Sequence, residues 1–218
     1  MIGPPGAGKG TQADLLETKL GIVHVASGEL LREQARAGTP LGLAAKAYME
    51  RGELVPDAIV IGMIMARLAL PDARHGVILD GFPRNIEQAQ ALDAALDAEG
   101  KAVDRVICLD VPAEALLARL SGRWTCRNCQ TTYHLIYNPP RVPGVCDVCG
   151  GELYQRYDDQ PEVIARRIQV YEASTTPLEE YYQRQGRLVD INGEQDIEAV
   201  HREIVQALNL QTYDRAQV

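Results

Sequence analysis

The chain has 218 residues and a mass of 23.9 kDa, which suffices for one substantial core with small insertions. Apolar residues make up 46% and charged residues 24%, so wholesale disorder is excluded, and no apolar run approaches the roughly 20 residues that cross a bilayer. Because 22 Lys and Arg face 30 Asp and Glu, the net charge is −8. This balance argues against nucleic-acid binding, and an anionic ligand would need a local cluster of cations.

A glycine-rich loop opens the chain, with the sequence Gly-Pro-Pro-Gly-Ala-Gly-Lys-Gly-Thr at residues 3–11, and leads into a predicted helix over 10–20. Such glycines let backbone N–H groups face a phosphate, while the helix N-terminus and the lysine favour negative charge. The strict pattern places Ser or Thr directly after the lysine, whereas here Gly10 precedes Thr11. A flexible turn has no need of Lys-Gly-Thr before a helix, so we predict a phosphate-binding loop.

Short apolar runs predict parallel strands that are buried on both faces, at residues 23–26, 77–80, 106–110 and 188–191. Helical segments alternate with these runs, and three of their starts are marked by a capping box at 85–88 and by Pro161 and Pro177. The fold class is therefore α/β, with helices on both sides of a parallel sheet. Two stretches interrupt the alternation, a helical one over 27–57 and an irregular one over 121–156.

A second candidate anion site follows the run 77–80, where Asp-Gly-Phe-Pro-Arg occupies residues 80–84. It lies beyond the carboxyl end of a predicted parallel strand, the edge at which open α/β sheets bind ligands. Asp80 is suited to orienting Mg²⁺-bound water near phosphates, and Arg84 to holding an anion with two hydrogen bonds. The alternative is a strand-ending turn with a solvated arginine, which is less favoured beside a phosphate loop.

Four further arginines favour an anionic ligand. Arg119 and Arg123 are expected four residues apart on one helix, where like charges repel unless an anion lies between them. Arg167 shares the inward stripe of its predicted helix and so needs an anionic partner. Arg156 lies where the irregular stretch rejoins the core. Each alone reads equally well as a solvated surface residue, and their convergence carries the prediction.

Four of the five cysteines form two Cys-x-x-Cys pairs with sixteen residues between them, namely Cys126, Cys129, Cys146 and Cys149. This spacing is typical of a tetrahedral zinc site, and an irregular segment without a core of its own needs such a staple. Because all four ligands are cysteines, the site is structural and not catalytic. The alternative is four free thiols. The fifth cysteine, Cys108, is expected to be a buried strand thiol.

Several motifs occur in a fixed order: the phosphate loop with the following Gln, Asp-Gly-Phe-Pro-Arg, the pair Arg119 and Arg123, Tyr133-His134, Asn138-Pro139-Pro140 and Asp158-Asp159-Gln160. Together they resemble adenylate kinases of the long form, whose lid carries a four-cysteine, zinc-type knuckle. The resemblance runs from Gly3 to about residue 209. It implies a P-loop three-layer sandwich with a central, five-stranded parallel sheet, a helical arm that binds nucleoside monophosphate, and a lid inserted into the core.

In domain terms, the resemblance implies a core made of residues 1–26, 57–120 and 157–218, an arm at 27–56 and a zinc-binding lid at 121–156. It implies reversible, Mg²⁺-dependent phosphoryl transfer from ATP to AMP, which gives two ADP and maintains adenine nucleotide balance. The expected cofactors are Mg²⁺ with ATP and a structural Zn²⁺. We expect a cytoplasmic monomer whose partners are ATP and AMP, without nucleic acid or membrane.

The resemblance also assigns roles by position. ATP would be held by Gly6, Ala7, Gly8, Lys9, Gly10, Thr11, Arg119, Arg123, Thr132, Tyr133 and Gln195. AMP would be held by Ser27, Arg32, Glu53, Leu54, Val55, Gly81, Phe82, Pro83, Arg84, Gln88, Arg156 and Arg167. The charged groups implied in catalysis are Lys9, Arg84, Arg119, Arg123, Arg156 and Arg167. Gln88 would hydrogen-bond the base, and Ser27 stands where many relatives carry threonine but keeps the hydroxyl.

No protein base is needed for this chemistry, because the AMP phosphate already carries most of its second charge at pH 7. The task is to bring two polyanions together and to neutralise the transferring group. We therefore predict no catalytic histidine: His24, His75 and His201 are expected at the surface or in packing, and His134 in support of the lid.

The sequence leaves two rival functions open. A kinase for another nucleoside monophosphate would share the phosphate chemistry and differ only in its acceptor. A nucleotide-dependent binding switch with a zinc-ribbon module is a different class, which would leave the second anion site unexplained.

The start of the sequence is the main anomaly. A phosphate loop normally leaves a buried strand, yet only Met1 and Ile2 precede the first glycine. Losing about four buried apolar residues would cost several kcal/mol, at roughly 1.5–3 kcal/mol for each large side chain. We therefore expect a clipped start in preference to a loop held in some other way.

Overall fold

The computed structural model describes residues 1–208, so residues 209–218 of the predicted core segment lie outside the described residues. The helices are α1 Lys9–Leu20, α2 Ser27–Arg36, α3 Pro40–Glu50, α4 Asp57–Leu68, α5 Ile86–Asp97, α6 Ala113–Ser121, α7 Pro161–Ser174, α8 Pro177–Arg184 and α9 Ile197–Ala207. The strands are β1 Val23–Ala26, β2 Val77–Asp80, β3 Val106–Asp110, β4 Arg123–Cys126, β5 Thr132–His134, β6 Leu153–Tyr154 and β7 Leu188–Asn192. Short 3₁₀ helices span Pro71–His75 and Tyr157–Asp159.

The four strands predicted from apolar runs are present, and they pair in parallel as β1 with β2 and β3 with β7. The two pairs are joined by the first two residues of the chain. The N–H of Ile2 donates to the Ile107 carbonyl at 2.9 Å, and the N–H of Leu109 donates to the Ile2 carbonyl at 3.1 Å. The amino group of Met1 donates to the Leu79 carbonyl at 2.6 Å. In place of the implied fifth strand, a single bridging residue therefore holds the centre of the sheet.

Side chains of β3 alternate between two helical layers. Ile107 and Leu109 pack with residues of α1, α6 and α9, whereas Val106 and Cys108 pack with residues of α5 and α8. This two-residue period is expected for a strand that is covered on both faces. Cys108 is 4% exposed, which confirms it as a buried strand thiol. The three layers of the predicted α/β sandwich are thus present.

The helical stretch predicted over 27–57 contains α2 and α3 and continues into α4. Its apolar residues form a second core with Phe82 and Leu92. Helices α2 and α3 approach so closely at Gly42 that a Cβ there would lie 2.1 Å from the backbone carbon of Gln34. A glycine is therefore required at this crossing.

The predicted helix starts at Pro161 and Pro177 are confirmed. At the start of α5, Asn85 accepts a hydrogen bond from the N–H of Gln88 at 2.8 Å, as in a capping box. The reciprocal half is different, because the Gln88 amide donates to the carboxylate of Asp57 instead of the backbone of Asn85.

The prediction of an irregular stretch over 121–156 is wrong in one respect. Strands β4, β5 and β6 form an antiparallel sheet in the order β5-β4-β6, and all three are short. Their pairing places Cys126 opposite Leu153, and around them lies a small core with Tyr133 and Cys146. Two to four residues per strand give too little apolar alternation to be detected in the sequence.

Within the described part of the chain, no helix has the length and apolar character that a bilayer crossing requires.

Candidate active site

The phosphate loop ends where α1 begins. Gly8 precedes the helix with a φ of +97°, a conformation that favours glycine, and the first turn of α1 carries no acidic side chain. The ammonium of Lys9 donates to the carbonyls of Gly3 and Pro4 at 2.7 and 2.9 Å, so it lies across the loop. Burial lowers the pKa of Lys9 to about 8, although the nearby charge of Asp80 opposes the shift. The loop therefore keeps the ammonium of Lys9 buried, although burial disfavours its charged form.

Asp80 lies at the carboxyl end of β2, close to this lysine. Burial alone would raise its pKa, but the neighbouring His24 and the charge of Lys9 lower the pKa of Asp80 to about 2. Ring atom Nε2 of His24 lies 3.6 Å from a carboxylate oxygen of Asp80, and Nδ1 donates to Asp14 at 2.9 Å. Although burial disfavours the charged ring, these two carboxylates raise the pKa of His24 to about 9. The charged side chains of Asp14, His24 and Asp80 therefore form a row that runs from the surface to the site.

The second predicted anion site follows β2 as expected. The hydroxyl of Ser27 and Nε of Arg84 both donate to the carbonyl of Gly81, at 2.6 and 2.7 Å. Burial, and then the repulsion of Arg167, lower the pKa of Arg84. Phe82 is fully buried in the core of the helical stretch, so its side chain does not face a ligand.

Two aspartates organise the arginines of the site. Asp159, which is 1% exposed, accepts from Nε of Arg123 at 2.8 Å and from Nη1 of Arg167 at 3.1 Å. Arg167 also forms an ion pair with Asp158 at 3.1 Å. The anionic partner that the position of Arg167 requires is therefore this acidic pair.

The prediction that Arg119 and Arg123 lie on one helix is wrong. Helix α6 ends at Ser121, and Arg123 is the first residue of β4. A Cβ on Gly122 would lie 2.5 Å from Nε2 of His134, so the chain turns where this glycine packs on the ring. Arg123 lies in the strand that pairs with β5, and its side chain donates to Asp159.

Two arginines have donors without partners. Nε of Arg32 and Nε of Arg156 are both buried without a hydrogen-bond acceptor. Burial, followed by the repulsion of Arg32 and Arg123, lowers the pKa of Arg156 to about 9. Burial likewise lowers the pKa of Arg32. Buried donors of this kind need an anionic acceptor.

Taken together, these charges form what we call the cation cluster. Its members interact electrostatically with one another and comprise Lys9, Arg32, Arg84, Arg123, Arg156 and Arg167, with Asp80, Asp158 and Asp159. Six cations thus face three carboxylates, which leaves a local excess of positive charge in a chain whose net charge is −8. Phosphates are the ligands that such an excess favours.

Many predicted AMP residues line one cavity, namely Ser27, Arg32, Glu53, Leu54, Val55, Arg84, Gln88 and Arg167. A second cavity shares Arg84 and Arg167 with the first and reaches Lys9 of the phosphate loop. The two cavities therefore adjoin, and Arg84 and Arg167 belong to the lining of both. Gln88 is 1% exposed, and its amide is engaged by Asp57 and by the N–H of Arg84.

The residues assigned to ATP outside the loop are more dispersed. Arg119 donates to the carbonyl of Gly193 at 2.9 Å, close to Gln195 in sequence. Thr132 is exposed at the start of β5. The side chain of Tyr133 points into the cysteine cluster, where its hydroxyl accepts from the N–H of Asp147 at 2.8 Å. Only the backbone of Tyr133 is thus available to a nucleotide.

The four cysteines of the stretch 121–156 come together. All four sulfurs lie within 4.8 Å of one another, and the shortest separations are 3.4–3.5 Å. A tetrahedral zinc–thiolate site, with Zn–S near 2.3 Å, has sulfurs about 3.8 Å apart. The donor set and its compactness therefore fit zinc. His134 supports the same segment, as predicted, because its Nδ1 accepts from the N–H groups of Ile136 and Tyr137.

Sequence reasoning missed three features of the site. His24 was expected at the surface or in packing, yet it bridges Asp14 and Asp80. The sequence motif assigns no role to Asp158 and Asp159. An acidic pair just before a helix with an inward arginine is nevertheless a signal for the ion pairs that they form with Arg167. Asp57 gave no signal, since its contact with Gln88 joins residues 31 positions apart.

Comparisons with known proteins agree with this geometry. A family model described as adenylate kinase matches residues 1–187. An adenylate kinase of Carboxydothermus hydrogenoformans is 52% identical over 95% of this chain and 97% of its own length. Those of Methanocella arvoryzae and Archaeoglobus fulgidus are 50% and 52% identical over 95% and 94% of this chain, and over 96% and 94% of their own lengths.

The charged state of His24 predicts a pH-dependent stability. Because its folded pKa, about 9, exceeds the ordinary value of 6.5, its stabilisation is complete below about pH 6.5 and lost as the pH rises through 9. We expect His24→Gln to lower the free energy of unfolding at pH 6 by on the order of 2 kcal/mol more than at pH 10. Urea denaturation at both pH values measures this, with exposed His75→Gln as the control. If His24→Gln lowered the free energy of unfolding equally at both pH values, the charged state of His24 between Asp14 and Asp80 would be contradicted.

Proposed function

The chain belongs to the adenylate kinase family and is a nucleoside monophosphate kinase. We propose that the two adjoining cavities form one cleft, which binds ATP and AMP together and transfers a phosphoryl group between them. The observation that carries this proposal is the cation cluster. Its unneutralised charge and the buried, unpaired Nε donors of two arginines lie between a phosphate loop and a second anion site.

AMP takes the cavity that Gln88 and Arg32 line. Its phosphate lies against Arg32, Arg84 and Arg156, and the unpaired Nε donors of Arg32 and Arg156 then gain acceptors. The backbone of residues 53–55 and the amide of Gln88 border the base. Because the phosphate of AMP already carries most of its second charge at neutral pH, it attacks without a protein base.

ATP takes the phosphate loop. Backbone N–H groups of residues 6–11 face its phosphates at the start of α1, and Lys9 follows the transferring group. Arg119 and Arg123 approach from the side of the lid, and the backbone of Gln195 borders the adenine. The ammonium of Lys9, now held by the carbonyls of Gly3 and Pro4, exchanges these weak acceptors for phosphate oxygens.

Transfer requires no bond to the protein. Arg123 and Arg167 are oriented in advance by Asp159, so stabilising the transferring group costs little reorganisation. The two anions are brought into line by cations shared between the cavities, which lowers their mutual repulsion. Closure over the cleft excludes water as a competing acceptor.

Adenylate kinases use Mg²⁺ with ATP. Asp80 fits this ion, because its carboxylate is buried, ionised and beside the loop, only 3.5 Å from where a Cβ on Gly10 would lie. When bound, Mg²⁺ offsets charge on the ATP phosphates. His24 keeps Asp80 in place and ionised.

The predicted division of the chain supports closure. We assign residues 27–56 to an arm that closes on AMP and residues 121–156 to a lid that closes on ATP, with 1–26, 57–120 and 157–218 as the core. Arg36 of the arm donates to the carbonyl of Arg127 in the lid at 3.4 Å, which is the contact expected between two closed segments. The net charge of −8 and the family relationship favour a cytoplasmic monomer without nucleic-acid or membrane partners.

Zinc is the metal we assign to the four lid cysteines. Strands of two to four residues around a small core need a cross-link, which four thiolates on one ion provide.

The function is tested by supplying ATP and Mg²⁺ with AMP, GMP, CMP or UMP and measuring nucleoside diphosphate. We expect AMP to be the preferred acceptor and Lys9→Met to lower kcat on the order of 10²–10³-fold. Lys46→Met, an exposed lysine of α3, is the matched control and should retain full activity. Preference for another acceptor, or slow hydrolysis alone, would overturn the proposal.

The zinc site is tested by metal analysis of protein purified without chelator. We expect about one zinc per chain in the wild type and in Cys108→Ser, and less than a tenth of that in Cys149→Ser, with a lower Tm. Metal-free protein whose Tm does not respond to chelation would show that the four thiols are free.

A further inference from the structure

Gln88 lines the proposed AMP cavity, and hydrogen bonds to neighbouring protein groups hold its side-chain amide. Its Oε1 accepts from the backbone N–H of Arg84 at 2.8 Å, and its Nε2 donates to Oδ1 of Asp57 at 2.7 Å. A backbone N–H can only donate and a carboxylate can only accept. Turning the amide over would place donor against donor and acceptor against acceptor. The two partners therefore allow one orientation.

Asp57 is itself held in place. Asn85 donates from Nδ2 to both carboxylate oxygens, at 3.0 and 3.1 Å. The Oδ1 of Asn85 accepts from the N–H of Gln88, so the amide of Asn85 is oriented as well. Asp57 also begins α4, where the helix dipole favours its charge. A closed ring of hydrogen bonds thus joins Asp57, Asn85 and Gln88, and Asp57 lies outside the residues that line the cavity.

The orientation of this amide matters because purines differ at the edge that it can read. Adenine presents an amino donor at C6 and an acceptor at N1, whereas guanine presents an acceptor at C6 and a donor at N1. A free glutamine pairs with either pattern by turning its amide over. A held glutamine offers its remaining Nε2 hydrogen and Oε1 lone pair in one spatial order, while the ribose phosphate is fixed by the arginines.

We propose that Asp57 is a positioning residue that determines base specificity: by holding the amide of Gln88 in one orientation, it makes the acceptor site select a 6-aminopurine over a 6-oxopurine. This inference rests on the proposed AMP site. It assigns to Asp57 no contact with substrate. Its effect is confined to the choice of base, so ATP binding and the phosphate chemistry are independent of it.

The test compares AMP and GMP as acceptors for the wild type, Asp57→Asn and Asp57→Ser. Asparagine keeps the shape of Asp57 but can present either a donor or an acceptor to Gln88, and serine removes the contact. We expect the ratio of kcat/KM for AMP over GMP to fall about tenfold in both variants, at unchanged KM for ATP. Asp97→Asn, an exposed carboxylate at the far end of α5, the helix that carries Gln88, is the control and should keep the wild-type ratio.

Each outcome bears on one proposal. Equal losses for AMP and GMP, or a ratio within twofold of the wild type in both variants, overturn the role of Asp57. A wild-type protein that does not use AMP refutes the proposed function itself. If either variant is poorly folded, calorimetric binding of AMP and GMP to the other variant, at a temperature below its Tm, gives the same ratio directly.

Discussion

The structure depends on the burial of more positive than negative charge at one place. Six cations surround three carboxylates, so part of the positive charge has no negative partner. The pKa values of Lys9 and Arg156 are lowered from their ordinary values in this environment. Burial lowers the pKa of Lys9 to about 8 and that of Arg156 to about 9, so holding both groups charged costs folding free energy. A phosphate bound there, as we propose, would relieve part of this cost. Substrate binding and stability are therefore linked through the same residues.

The acidic pair Asp158–Asp159 fixes the positions of arginines that would otherwise repel one another. Asp159 joins Arg123 of β4 to Arg167 of α7, so the strand and the helix meet at one carboxylate. On the other side, His24 holds Asp80 against the phosphate loop. The cations that we propose to contact phosphates are thus positioned by carboxylates and a histidine, and a chain with net charge −8 has a locally cationic site.

Much of this could be predicted from the sequence, for identifiable reasons. Four buried parallel strands appear as apolar runs, and the phosphate loop, the Asp80–Arg84 turn and the cysteine pairs are local patterns. Arg123 was misplaced because spacing alone does not show that Gly122 packs on His134 and ends the helix. The roles of His24 and Asp57 depend on contacts between distant segments, which no local pattern contains. The short lid strands carry too few residues for their period to be visible.

The central claim is that both anion sites open into one cleft with a shared cation cluster. It is tested most directly by calorimetric titration with a bisubstrate analogue, two adenosines joined by five phosphates. The account predicts one equivalent bound per chain, far more tightly than AMP or ATP alone, and displacement of both nucleotides. Binding of two equivalents, or failure of the bound analogue to exclude AMP, would contradict it.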